Sequence, residues 1–171
     1  MARLKPVIMR ANRLLGATLV EKQLVSIDDL DLANERLLEL MSVKGNEVQK
    51  VSLLSILLNE QQCLSEQKLM THLVEDEGLG IVDIRNFEVP EDVKDLIRLD
   101  ECWSTWTVPF DSVEDTLYLA SAYYLSPVVR EFWEEKFNGK IVWYASTIES
   151  ISEFLEGVEA DRAKLVVANG N

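Results

Sequence analysis

The residue types that usually carry catalysis or bind metals are sparse in this chain of 171 residues. His72 is its single histidine, and neither Cys63 nor Cys102 has a second cysteine at a spacing typical of a zinc or redox site. Acidic residues cluster at 28–29, 75–77, 111–115 and 134–135. These clusters fit neither an EF-hand nor a fixed carboxylate motif and are typical of solvated helix ends and turns. We therefore expect no catalytic residue, no bound cofactor and no metal site.

Phosphate chemistry is disfavoured as well. No loop of the form G-x-x-x-x-G-K-[ST] occurs, and the chain has only seven glycines, so we expect no ATP hydrolysis. The net charge of -13 repels nucleic acids and anionic lipid. A basic N-terminal arm, with Arg3, Lys5, Arg10 and Arg13 ahead of the first acidic residue, is the exception. It could touch a phosphate or an acidic partner, although basic residues at a terminus are more often simply solvated.

Aromatic residues concentrate in the C-terminal half, where they could form a protein-binding patch, because aromatic side chains are enriched at the centres of interfaces. The candidate contact residues are Trp103, Trp106, Tyr123, Tyr124, Trp133 and Trp143. A small sheet has few faces on which to bury such rings together with Tyr144, so we expect some of them to be exposed beside charges such as Arg130 and Lys136. Stacking on bases is the rival use, and the acidic charge disfavours it.

The elements that position these residues begin with an internal repeat of 39 residues. Residues 15–30 and 54–69 share six identities at sixteen aligned positions, with Gln23 matching Gln62 and Ser26 matching Ser65. Each copy predicts a helix, a tight turn at the glutamine and a second helix capped by the serine. The chain therefore begins with a helical subdomain of two helix-turn-helix repeats over residues 1–77.

Residues 78–157 predict an α/β subdomain with a small sheet of about three strands flanked by helices. Short strands are expected at 81–84 and 141–144, with a hairpin at 106–110 and 116–120. Helices are expected after Pro90, from Pro127 to the Asn138-Gly139 stop, and from about 147 to 155. Residues 158–171 are expected to form a tail. The fold class is α+β.

This order of parts resembles the N-terminal domain of type II secretion and type IV pilus assembly ATPases, of the GspE and MshE kind. The resemblance rests on L-G-x-x-L-V-x-x-Q-L-V-S from Leu15, G-I-V-D-I from Gly80, and V-P at Val89. It continues through V-P-F from Val108 and T-L-Y-L-A from Thr116. It implies a domain that docks onto a component of a secretion, pilus or motility apparatus, here expected to stand alone without the ATPase.

Family members that bind cyclic di-GMP resemble an R-L-G-x-x-L-V-x-x-G motif, used twice and followed by a glutamine. The positions of the arginines and glutamines here are Leu14, Leu37, Leu53 and Asp76. The motif residues that remain in some form are Arg13, Gly16, Gln23 and Gln62, with Arg13 one position out of register. The resemblance therefore predicts that cyclic di-GMP binds weakly or not at all.

We expect a non-catalytic protein-interaction or regulatory module, with a diverged cyclic di-GMP receptor as the alternative. The partner is expected to be a protein of the secretion or pilus apparatus, not a nucleic acid. No signal peptide or membrane-spanning stretch is evident, and two buried thiols suit a reducing cytoplasm. The oligomeric state is left open.

Overall fold

The computed structural model describes residues 2–43 and 45–170, and its N-terminal part is helical. A 3-10 turn at Ala2–Leu4 leads into α1 (Lys5–Glu21), which is followed by α2 (Ile27–Val43). After a 3-10 segment at Gly45–Lys50, α3 (Leu53–Ser55) runs directly into a π-helical turn, Ile56–Glu60. Helix α4 (Glu66–Glu75) completes this part.

Both copies of the repeat turn at the same glutamine. Gln23 has φ +60° and Gln62 has φ +52°, a left-handed conformation that crowds the Cβ of any residue other than glycine. Ser26 and Ser65 then begin α2 and α4, and each hydroxyl accepts from the backbone N–H three residues further on, at 3.1 and 3.3 Å. The predicted pair of helix-turn-helix units is therefore confirmed.

A mixed sheet forms the second part, with four strands rather than about three. The strands are β1 (Gly80–Ile81), β2 (Thr107–Val113), β3 (Thr116–Ser121) and β4 (Lys140–Ala145). Their order is β1-β4-β3-β2, in which β4 is parallel to both β1 and β3 and β2 is antiparallel to β3. The predicted hairpin and the strand near 141–144 are confirmed, whereas the strand expected at 81–84 covers only Gly80–Ile81.

Four helices flank the sheet: α5 (Glu91–Lys94), α6 (Leu99–Thr105), α7 (Pro127–Lys136) and α8 (Ile148–Asn169). The single helix expected after Pro90 is two helices, and Trp106 caps α6 with φ +49° instead of beginning a strand. Helix α8 continues well past residue 155, through most of the expected tail. Arg162 holds this extension by donating to the carbonyl of Ile97 at 2.8 Å.

The buried side chains of both parts form one continuous hydrophobic cluster. Helix α1 packs against α2, α6 and α7, so it connects the other helices of the repeat with the helices that flank the sheet. Gly16 allows its close approach to the repeat helices, since a Cβ there would lie 2.6 Å from Leu30 and 3.1 Å from Leu53. The core thus continues across the predicted boundary after residue 77, which as a domain boundary stays a prediction.

A buried polar hub joins the two parts. The Tyr123 hydroxyl donates to Asn12 Oδ1 at 2.7 Å and is hydrogen-bonded to Ser52 Oγ at 2.7 Å. The backbone N–H of Leu53 donates to the same Asn12 oxygen at 3.0 Å, and that of Leu54 donates to Tyr123 Oη at 3.4 Å. Because unpaired polar groups are costly in a core, these bonds fix where α3 begins relative to α1 and the sheet.

Candidate interaction surfaces

Four of the six aromatic contact residues predicted from the sequence lie in the core. The exposed fractions are 2% for Trp103, 5% for Trp106, 0% for Tyr123 and 2% for Trp133. Helix α6, which extends beyond the single helix expected after Pro90, carries Trp103 and is capped by Trp106, so it supplies a layer that covers these rings. A partner cannot reach them in this structure, and they act in packing.

The polar atoms of these rings have partners inside the protein. Trp103 Nε1 donates to Glu159 at 2.7 Å, and Trp133 Nε1 donates to Thr105 Oγ1 at 3.1 Å. Burial raises the pKa of the Tyr123 hydroxyl well above its ordinary value, because the charged phenolate would lose its hydration. All three side chains are therefore structural.

Tyr124 and Trp143 remain partly exposed. Their ring centroids lie 5.7 Å apart in an edge-to-face arrangement, and the guanidinium of Arg130 lies 4.8 Å from the centroid of Tyr124. We call Tyr124, Arg130 and Trp143 the aromatic patch. It has the apolar centre and cationic rim expected of a contact site, and its role in binding stays a prediction.

A second apolar surface lies between α1 and α2. We call it the α1–α2 groove; it holds a cavity of about 250 Å³ lined by Met9, Arg10, Arg13, Asn34, Leu37, Leu38 and Met41. Met9 is 45% exposed and Leu38 is 59% exposed. Apolar side chains of this size left open to water at one place mark an interaction site more often than scattered ones do.

The groove follows from helix geometry. Its α2 residues, 34, 37, 38 and 41, recur at the spacing of a single helix face. Leu37 is buried at the floor, whereas Leu38, turned about 100° around the helix, cannot enter the same core. The adjacent leucines are the sequence pattern that could have indicated this surface, which the sequence-based site prediction missed apart from Arg13.

The basic N-terminal arm divides between two environments. Arg3 pairs with the buried carboxylate of Glu101 at 3.2 Å, and Glu101 also pairs with Lys136. Arg10 and Arg13 lie at the groove and are exposed, and within residues 2–43 and 45–170 neither forms an ion pair. The groove therefore combines an apolar floor with two free positive charges.

The four remaining positions of the nucleotide motif have different local surroundings. Arg13 lines the groove, Gly16 is a helix packing contact, and Gln23 and Gln62 are exposed turn residues. Gln23 lines a separate, shallow cavity that also includes Cys63 of the second repeat copy. The packing of Gly16 and the turns at Gln23 and Gln62 are roles in the fold. Any role of the four residues in ligand binding stays a prediction.

The resemblance also assigns four positions of this chain to the arginines and glutamines of the motif. These positions differ in burial. Leu53 is 0% exposed and Leu37 is 7% exposed, while Leu14 is partly buried and Asp76 is exposed. A polar side chain at Leu53 would lie inside the core. The second copy therefore has no surface at this position for a ligand.

The other residues with possible chemistry have local partners. His72 lies between Asp76 at 2.8 Å and Glu77 at 3.3 Å. Burial raises the pKa of the Cys102 thiol to about 12 and, less strongly, that of Cys63. In the part of the chain that the structure describes, no group of three or more His, Cys, Asp or Glu residues could hold a metal ion. None of the described helices combines the length and the apolar character needed to cross a bilayer.

Solved structures with this architecture were found by structural comparison. The N-terminal domain of XpsE is 18% identical, over 85% of this chain and 94% of that chain, with a TM-score of 0.53. A second crystal form of the domain gives 19% identity, 81% and 89% coverage and a TM-score of 0.51. MshE solved with cdg is 19% identical over 83% of this chain and 96% of that chain, with a TM-score of 0.51.

These likenesses show that the chain has the fold of the XpsE N-terminal domain and of the matched chain of MshE. Neither a scan against protein-family models nor a search of curated protein sequences gives a match. The expected fold is confirmed, and function has to be argued from the surfaces of this chain.

Proposed function

We propose that this chain is a non-catalytic docking module of the kind found at the N-termini of secretion and pilus ATPases. It binds a protein component of such an apparatus, on the cytoplasmic side, through the α1–α2 groove. The observation that carries the proposal is the groove itself, where exposed Met9 and Leu38 lie beside two arginines without an ion pair in the described chain. The shared fold with the XpsE domain supports it.

Site-specific photo-crosslinking in the native host tests this proposal. A crosslinking amino acid at Leu38 should capture a component of a secretion, pilus or motility apparatus, identified by mass spectrometry. The same residue at Val113, which is 53% exposed at the end of β2, serves as the matched control. A third variant at Trp143 reports on the aromatic patch. If positions 38 and 113 give the same products, the groove is not the docking site.

A cyclic di-GMP receptor is the second candidate, favoured by the structure of MshE with cdg and by the position of Arg13. One feature weighs against it. Leu53 is buried where a second arginine would be needed. Calorimetric titration with cyclic di-GMP should show no binding, and a submicromolar Kd abolished by Arg13→Ala would establish the receptor instead.

A further inference from the structure

We infer that the α1–α2 groove receives an amphipathic helix whose apolar stripe is flanked by acidic residues. This inference rests on the proposed function and adds the chemistry of the partner. Three properties of the groove support this inference: its length, the helical backbone of its walls and its positive charge.

The floor of the groove matches a short helix in length. Residues 34 to 41 of α2 span about 10 Å at 1.5 Å per residue, which corresponds to two helical turns. A helix that presents apolar residues at positions i, i+3 or i+4, and i+7 covers that distance with one face. Leu38, Met41 and Met9 are the side chains that such a face would contact.

The walls of the groove offer almost no backbone groups to a partner. Arg10, Arg13 and residues 34–38 of α2 lie far enough inside their helices for the backbone N–H and C=O groups to be paired along the helix, and only Met41 lies in the last turn of α2. An extended segment would therefore leave its own backbone unpaired against the apolar floor. A helix satisfies its backbone internally, so it loses no backbone hydrogen bonds on entering the groove.

Charge selects an acidic helix over a basic or neutral one. Arg10 and Arg13 are exposed cations on a chain of net charge -13, so most other surfaces repel an acidic segment while this one attracts it. Glu39 of α2 is already engaged by Arg36, which also binds Glu60 of the π-helical turn at 2.9 Å. Carboxylates on the partner would accept charge-assisted hydrogen bonds from the two arginines.

Binding of designed peptides to the full chain tests the inference. The probe is a fluorescently labelled peptide of about 18 residues, long enough to form a helix, with a leucine stripe flanked by glutamates. One control peptide replaces the glutamates by lysines. A second control keeps the composition of the probe and scatters the leucines around the helix. Fluorescence anisotropy gives the Kd of each peptide at low and at high salt.

The glutamate peptide should bind at least about tenfold more tightly than either control, and its affinity should fall as salt is added. In the double variant Arg10→Glu, Arg13→Glu, its affinity should fall about tenfold and the lysine peptide should become the tighter ligand. Lys68→Glu with Lys140→Glu is the matched control. It changes the net charge equally at two exposed lysines outside the groove, and it should leave the affinity within about twofold.

Equal affinity for the glutamate and lysine peptides, or no binding of either, would overturn the inference. So would displacement of the glutamate peptide by cyclic di-GMP through Arg13, which would make the groove a nucleotide site. The crosslinking experiment separates this failure from failure of the proposed function. If Leu38 captures an apparatus component while the peptide does not bind, docking stands and only the acidic helix is wrong.

Discussion

The two copies of the 39-residue repeat share a turn and a cap but differ in the surroundings of their first helix. In the first copy that helix is the long and regular α1, one side of which remains open at the groove. In the second copy it is α3 with the π-helical turn, in which Leu53, Ile56 and Leu57 are at most 2% exposed. Leu14 and Leu53 occupy equivalent positions, yet the first is partly buried and the second fully buried.

This difference shows that the repeat specifies the turn between two helices and does not specify which helix faces are buried. Local features, a left-handed glutamine followed by a capping serine, are the same in both copies. Burial is decided by what packs against each copy, because α3 and the π-helical turn bury Leu53 and Ile56, whereas α1 leaves Arg10 and Arg13 exposed. An exposed surface is therefore present beside Leu14 in the first copy, whereas the matching Leu53 of the second copy is buried.

Replacing the equivalent leucines by alanine should give the largest difference in stability between the two copies. We expect Leu53→Ala to lower the free energy of unfolding by about 3 kcal/mol, because it leaves a cavity in a closed core. Leu14→Ala should cost about 1 kcal/mol, since water can partly fill the space. Urea unfolding of both variants measures the two values. Similar losses would mean that the copies contribute equally to the core.

Alkaline pH should weaken the hub that holds the second copy. Burial raises the pKa of Tyr123 above its ordinary value of 10.0, so the unfolded chain releases the proton first. The stability that this group contributes is thus fully present below pH 10 and is lost as pH rises above it. Cys102, with its pKa raised from 9.0 to about 12, adds a loss that begins near pH 9.

Tyr123→Phe isolates the contribution of the hub. It should cost about 1–3 kcal/mol at neutral pH, because Asn12 and Ser52 lose their partner, and it should reduce the further loss of stability above pH 10. Tyr124→Phe is the matched control, since this ring is partly exposed and loss of its hydroxyl should cost little stability at neutral pH. Unfolding free energies measured from pH 7 to pH 11 test both statements. An unchanged pH profile for Tyr123→Phe would show that this residue does not titrate on unfolding.

The smallest effects should come from the shared turns, and there the copies should agree. Gln23→Gly and Gln62→Gly should each raise the free energy of unfolding by about 0.5–1 kcal/mol, since glycine relieves the left-handed strain but is more flexible when unfolded. Lys22→Gly and Gln61→Gly are neighbouring controls. Both residues have negative φ, -82° and -84°, so glycine there should destabilise the protein. Gains confined to one copy would show that the turns are not equivalent.

The features that were predictable from the sequence are those set by neighbouring residues. The repeat turns, the serine caps and the limits of α7 between Pro127 and Asn138-Gly139 depend on local backbone preferences. The α+β class followed from the change of hydrophobic period after residue 77. The register of the sheet and the short β1 strand depend on pairing between distant segments, which one-dimensional patterns describe poorly.

The candidate site was harder to predict because it depends on what the fold covers. The number of aromatic rings relative to a three-strand sheet made Trp103 and Trp133 candidate contact residues, but α6 and α7 add enough apolar cover to bury them. Arg10 and Leu38 line one cavity only because α1 and α2 pack side by side. Arg13 was identified for a nucleotide motif, and its place in the groove was not predicted.

The polar hub also bears on the order in which the chain folds during synthesis. Its hydrogen bonds connect Leu53 to Asn12 across 41 residues and Tyr123 to Asn12 across 111 residues. When the two repeat copies emerge from the ribosome, Asn12 and Ser52 can already accept from the backbone N–H groups of Leu53 and Ser55, but the hydroxyl that joins them has not yet been made. We therefore expect the complete hub to form only after β3 and the residues just after it have been made. A long-range bond of this kind slows folding but couples both halves in one cooperative event.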